Sequence, residues 1–149
     1  MIDLKGLNKE ICRMYRSALT AAGVRADIVE EDISAPIIRP SGKVELEDSR
    51  KTRLLYSGAE QAVTFRLYYF AKDRRHPKLE NLTVQQALGD LFLDGIVVND
   101  TYLGIDEGVQ FTEADGVLVA KIDLKWVEPI PEPEGEPMEN LVINERGVT

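Results

Sequence analysis

Side chains suited to acid–base, nucleophilic or metal chemistry are scarce in this sequence. There is one histidine, His76, and one cysteine, Cys12. A single thiol and a single imidazole can build neither an intrachain disulfide nor a multi-histidine or thiolate metal cluster. His76 precedes Pro77 among basic residues, and an exposed imidazole without an evident partner is the plainer reading than a catalytic one. Cys12 falls in a helical pattern, where a free cysteine packs as a small inert hydrophobe. Glu30-Glu31-Asp32 brings together three carboxylates of the kind that hold a hard cation. In a strand, however, adjacent side chains point to opposite faces, so the three cannot converge and a solvated patch is expected. No phosphate loop, dinucleotide glycine motif, paired-histidine zinc helix or calcium loop is present. The chain is therefore not expected to be an enzyme, and no catalytic, cofactor or metal residues are assigned.

Contact chemistry is better represented. The segment Lys72–Lys78 is basic, with Lys72, Arg74, Arg75 and Lys78 against Asp73. It holds no aromatic to stack a base, and the whole chain carries a formal charge of −8. Arg74, Arg75 and Lys78 are thus candidates for contact with an acidic protein partner. An acidic chain makes a poor sequence-reading nucleic-acid binder, although it could form a wall that DNA slides past. Much of the charge lies at the end: after Val127, six glutamates face Arg146 alone, leaving −3 for the first 127 residues.

These residues must be positioned by ordinary amphipathic elements. In Val117–Val127, Leu118, Ala120, Ile122, Leu124 and Trp126 share one face, and Lys121, Asp123 and Lys125 share the other. Trp126 is accordingly a core residue, with its N–H reaching the rim. The turn signal Asp115-Gly116 joins this strand to Val109–Glu113 as a hairpin. Val63–Phe70 is a second strand, with Val63, Phe65, Leu67 and Tyr69 inward and its far end apolar on both faces. Leu4, Leu7, Ile11, Tyr15 and Leu19 mark an amphipathic helix with Asp3 as N-cap and Gly23 just past its end. Thr83-Val84-Gln85-Gln86 matches a capping box, opening a second helix whose apolar face is Val84, Ala87, Leu88, Leu91 and Phe92. Gly89 within it implies close packing, and Gly95 ends it. Weaker strand signals cover Ala26–Ile33, Ile37-Ile38 between Pro36 and Pro40 (an edge strand), Lys43–Glu47 and Ile96–Leu103. Residues 48–53 are polar and basic and read as a mobile loop or hairpin tip.

At 149 residues, with 44% hydrophobic and 30% charged side chains, the chain suits one soluble domain. Residues 1–22 mix charged with apolar side chains, so no leader is expected, and no apolar run is long enough to span a membrane. The domain is expected over 1–127. Residues 128–149 read as a proline- and glutamate-rich linker and arm: Pro129, Pro131, Pro133 and Pro137 exclude packing, and Met138, Leu141, Val142 and Ile143 form an apolar patch too small to fold alone. These four are further candidate partner-contact residues. Separated helices among hairpin-linked strands give an α+β fold, a small, mainly antiparallel sheet with two helices on one face and an extended C-terminal arm.

The order of elements resembles that of the phage tail terminator proteins of long-tailed bacteriophages, in particular those in prophages of Gram-positive bacteria. The resemblance rests on Phe65-Arg66-Leu67-Tyr68-Tyr69-Phe70, on Glu80-Asn81-Leu82 opening the second helix, and on Ile105-Asp106-Glu107-Gly108 before the last hairpin. Asp115-Gly116-Val117-Leu118, Ile122-Asp123-Leu124-Lys125-Trp126 and Met138-Glu139-Asn140-Leu141 complete it. It covers most of the chain, in pattern and order and not through one diagnostic motif. It implies a hexameric ring that caps the tail tube, stops its polymerisation and faces the head-side connector. The implied partners are further copies of the chain, the tail tube protein, the connector or neck protein and, in a contractile particle, the sheath. DNA would only pass through the ring, and no membrane is involved. The implied location is a virion tail or tail-like particle assembled in the bacterial host cytoplasm. The acidic arm is longer than the minimal family pattern requires. Two other readings stay open at this point: another neck or head–tail joining ring, and a small bacterial regulatory or ligand-binding module.

Overall fold

A computed structural model describes residues 2–31, 36–55 and 58–130. Helix α1 (Leu4–Ala21) buries Leu7, Ile11, Cys12, Tyr15 and Leu19, as their spacing requires. The Asp3 carboxylate caps it by accepting the Gly6 N–H at 3.0 Å. At the other end the Val24 N–H reaches Leu19 O and the Gly23 N–H reaches Thr20 O. This double bond pattern needs a left-handed residue, which Gly23 supplies with φ +80°.

The remaining elements are β1 (Asp27–Val29), β2 (Ser41–Leu54), β3 (Gly58–Phe70), α2 (Lys78–Leu91), β4 (Ile96–Val98), β5 (Thr101–Ala114) and β6 (Val117–Pro129). They form one six-stranded sheet in the order β1-β2-β3-β6-β5-β4. Only the β1–β2 pair is parallel; every other pair is antiparallel. The fold is thus α+β with a mainly antiparallel sheet. Both helices lie on one face, α1 over β1 and β2 and α2 over β5 and β6, and they touch each other. Val63, Phe65, Leu67 and Tyr69 of β3 and Leu118, Ala120, Ile122, Leu124 and Trp126 of β6 are all buried beneath them. Packing there is tight enough to specify a glycine: a Cβ on Gly42 would sit 2.8 Å from Tyr15 Oη and 2.9 Å from Ile28 Cδ1. The Tyr15 hydroxyl itself donates to Tyr68 O at 2.8 Å, satisfying a polar group taken into the core.

Several elements depart from their sequence signals. Residues 48–53 do lie toward the tip of a hairpin, that of β2 and β3, but as strand and not as a mobile loop: they are the outer half of β2, paired residue by residue with β3 from Asp48↔Thr64 to Leu54↔Gly58. Both faces of that half are exposed, so it shows no alternation to read. Of the strand signal at Ala26–Ile33, Asp27–Val29 is strand, Glu30 and Glu31 are not, and residues 32 and 33 lie outside the described residues. Ile37-Ile38 forms no strand and is exposed, because the place beside β2 is taken by β1. Helix α2 starts at Lys78, so Thr83 is not an N-cap; it lies inside the helix and its hydroxyl donates to Leu79 O at 3.2 Å. The first turn is instead held by tertiary bonds of Glu80 and Asn81, described below. Gly89 is not forced by crowding, since a Cβ there would meet Phe111 at an ordinary 3.9 Å. The stretch Ile96–Leu103 is split by a turn at Asn99-Asp100, with φ +50° and +63°. Both central residues being left-handed is the two-residue hairpin geometry that asparagine and aspartate tolerate best. Finally, β6 runs past Val127 to Pro129, and Glu128 is buried in the fold.

Candidate functional site

The two ends of the sheet present different surfaces. At one end, β3 leads through residues 71–77 into α2, beside the tight β5–β6 turn at Asp115-Gly116. The Glu80 carboxylate folds back on the start of this loop, accepting the Lys72 N–H at 3.0 Å and the Tyr69 hydroxyl. Burial, reinforced by the Glu80 charge, pushes the Tyr69 phenol well above its ordinary range, so it stays protonated as a donor. Asn81 joins the helix to the turn: its Nδ2 donates to Glu113 Oε2 at 2.8 Å and to Gly116 O at 3.0 Å. Inside the loop, Asp73 Oδ1 accepts the backbone N–H groups of Arg75 at 3.0 Å and His76 at 3.3 Å. The Arg75 bond first, then those from His76, hold the Asp73 carboxyl below its ordinary range. The loop is thus a braced corner, and Arg74, Arg75 and Lys78 project from it into solvent. Lys78 is the first residue of α2, and Asp73, Glu80, Glu113 and Asp115 stand among the cations of this end, so the corner is mixed in charge with its basic side chains exposed.

The candidate chemical groups sit as follows. His76 is 84% exposed, and its Nδ1 lies 3.3 Å from Asp73 Oδ2, so it has a partner that the sequence did not reveal. Cys12 is fully buried, and burial, with Glu30 adding to it, pushes its thiol up to about 11. Glu30 is occupied by Arg16 at 3.1 Å, Glu31 is exposed, and Asp32 lies outside the described residues. Among the described residues no group of three or more His, Cys, Asp or Glu is placed to hold a metal ion. No helix there is long and apolar enough to cross a membrane. Met138, Leu141, Val142 and Ile143 also lie outside the described residues.

The face of the sheet away from the helices carries ion pairs along its middle. Arg66 pairs with Glu47, Lys43 with Glu45 at 3.0 Å, and Lys125 with Asp106 at 3.3 Å. The β2 and β5 registers both slip beside this region. Between the slips lies an open groove of about 500 Å³, lined by Asp48, Arg50, Thr64, Asp106, Asp123 and Lys125 among others. Asp123 accepts the Thr64 hydroxyl. Mixed, paired charge of this kind forms a solvated surface or the polar rim of an interface.

At the opposite end of the sheet the same outer face turns apolar. Val97 pairs with Tyr102 across the β4–β5 hairpin. The β5–β6 pairing ends at Gly104↔Lys125, and Tyr102 and Val127 lie two residues further along their own strands, in the same alternation phase as that pair. These three are 63%, 61% and 56% exposed. The sequence reading missed this row, and the signal that could have found it is the Asn99-Asp100 turn, which fixes 97 opposite 102. On the inner face of that end, Glu128 Oε2 accepts the Trp126 indole N–H at 3.0 Å and the Ile2 N–H at 2.7 Å. Burial pushes this carboxyl up, but the two bonds and the Lys51 charge outweigh it and hold it below its ordinary range.

A protein-family model described as "Phage tail terminator protein" matches residues 10–136, which take in the whole sheet, α2 and α1 from its second turn on. No curated protein matches the sequence.

Proposed function

Because the chain belongs to the phage tail terminator family, we propose that it closes the head-proximal end of a phage tail tube as a ring of six copies. The family is one of structural tail components, which implies a non-enzymatic role and a place in the virion tail. In the proposed ring, bound copies block further addition of tube subunits and offer the next surface to the head-side connector. The family match across residues 10–136 carries the reading. The braced corner bearing Arg74, Arg75 and Lys78 supports it physically. A cap that must dock on a preformed surface gains from a contact whose loop is already ordered, since less conformational entropy is lost on binding. Charged outer strands add orientation and rate more than affinity.

The test is electron microscopy of particles made with and without the chain. Loss of the chain is expected to give tubes of irregular, excessive length without heads attached, and particles with the chain to show six-fold density at the tube end. Tubes of normal length in its absence, or one copy per particle, would overturn the proposal.

A further inference from the structure

Strand β2 is the least supported element of the domain. From Glu45 to Arg53 every side chain is exposed, and one edge alone is paired, with β3. On the other edge β1 pairs only with Ser41, Gly42 and Lys43. Beyond Lys43 nothing among the described residues bonds to the backbone of that edge. A run of open N–H and C=O groups is a template for another strand, and edges of this kind are usually kept short, covered or blunted with charge of one sign. This edge is long, and its charge is sorted by position. Glu45, Glu47 and Asp48 precede Ser49, while Arg50, Lys51 and Arg53 follow it.

We infer that two copies of the chain pair through this edge, β2 antiparallel to β2, about a two-fold axis at Ser49. The order of charge selects the occupant. In such a pair the acidic half of each strand lies along the basic half of the other, and the symmetry makes every favourable contact twice. With Ser49 on the axis, Asp48 of each copy stands directly opposite Arg50 of the other. Those two side chains share a face, because their partners on β3, Thr64 and Ala62, are two residues apart. A two-fold axis normal to the sheet keeps that face on the same side in both copies. Asp48, Arg50 and Arg53 make no salt bridge among the described residues, so they are free for the contact. The acidic half is extended by Glu30 and Glu31, which flank Val44, Glu45 and Leu46 around a hollow of about 330 Å³. Lys43 also lines it and already pairs with Glu45 at 3.0 Å. The register slip at Glu47 is taken up as a bulge, two residues of one strand facing one of the other. The contact does not rest on the family reading. A two-fold pair has no place among the head-to-tail contacts of a closed ring, so it belongs to the chain before it joins a tail and shields the edge until then.

Disulfide trapping of the full-length chain tests this, because Cys12 is buried and leaves the background low. A residue on a two-fold axis meets its own copy. Ser49→Cys, oxidised with diamide at high protein concentration, is therefore expected to give a linked dimer on a non-reducing gel. Its yield should exceed that of Arg53→Cys, equally exposed but off the axis, about tenfold, because pairing raises the effective concentration of the second thiol. Charge supplies an independent arm, read by sedimentation equilibrium with circular dichroism as the check on folding. Asp48→Arg and Arg50→Asp should each weaken the dimer about tenfold, since like charges then face each other twice. The double variant Asp48→Arg with Arg50→Asp should restore it. A monomer at every concentration reached, or equal trapping of the two cysteine variants, would overturn the pairing. A double variant as weak as the single ones would overturn the register about Ser49. The open edge of β5 carries Asp106, Glu107 and Glu113 and no cation. If Asp106→Lys weakened the dimer as much as Arg50→Asp, β5 would be the partner of β2 and the two-fold would fall. Six-fold rings built by a chain that never dimerises would discard this inference and leave the tail terminator proposal standing. A trapped Ser49→Cys dimer, with tubes of normal length in the absence of the chain, would uphold the inference and discard that proposal.

Discussion

The two ends of the sheet finish in opposite ways. At the corner end, charged and polar groups are tied inward: Glu80 to Lys72 and Tyr69, Asn81 to Glu113 and Gly116, Asp73 to the loop backbone. Its cations are left outward on a fixed frame. At the exit end, Glu128, the one buried carboxylate among the described residues, is engaged on the inner face, and Val97, Tyr102 and Val127 are exposed. The first arrangement costs little to leave in water and suits a partner that arrives later. The second keeps a hydrophobic driving force in reserve and suits a contact that is rarely left open. A sheet exposed on one side can therefore carry two surfaces of different polarity at its ends, without a second domain.

The largest test of this contrast is Trp126→Ala. It removes a large core aromatic and one donor from Glu128, and should cost about 3–5 kcal/mol in chemical denaturation. Lys125→Ala, one residue away on the outer face, should cost less than about 0.5 kcal/mol, its bond to Asp106 being exposed and screened. Equal effects would dissolve the distinction between faces. Next comes Asn81→Ala, which unties the corner and should cost about 0.5–1.5 kcal/mol, since the part-buried bonds to Gly116 O and Glu113 Oε2 are lost. Its hydrogen exchange should quicken in residues 71–77 and not around Glu128.

Glu128 sharpens the contrast through pH. Its folded carboxyl titrates below the ordinary 4.5. The stability it contributes is therefore complete above the unfolded value and lost as pH falls through the folded one. Glu128→Gln should flatten the dependence of unfolding free energy on pH below 4.5, while Asp73→Asn, exposed at the corner, should change it far less. Gly89→Ala is the smallest expected change and the only gain, up to about 1 kcal/mol, because the helix interior has room for a methyl group.

Legibility in the sequence followed burial. Where one face is dry and the other wet, as in β6, the inner half of β3 and α1, alternation or helical spacing named the right residues. The outer half of β2 was lost because its register comes from β3 while neither of its faces is covered. The start of α2 was misplaced because Thr83 satisfied a local rule, whereas the true first turn is held by side chains distant in sequence. The cationic corner was visible as composition, but its bracing was not, since Glu80 and Asn81 find partners through the tertiary fold. The apolar row at the exit end was hidden because its members come from three strands, each contributing one residue.

The strand that leads into the arm also has mechanical standing. β6 runs for 13 residues between β3 and β5 and is paired with both. Its ladder bonds stand perpendicular to the strand axis. Tension drawn through the arm along that axis would load both ladders in shear, many bonds at once, and not peel them open one by one. A chain end rooted in an edge strand such as β4, with three residues, would part under far less. The domain is thus built so that a pull on its C-terminal tether is shared across the centre of the sheet.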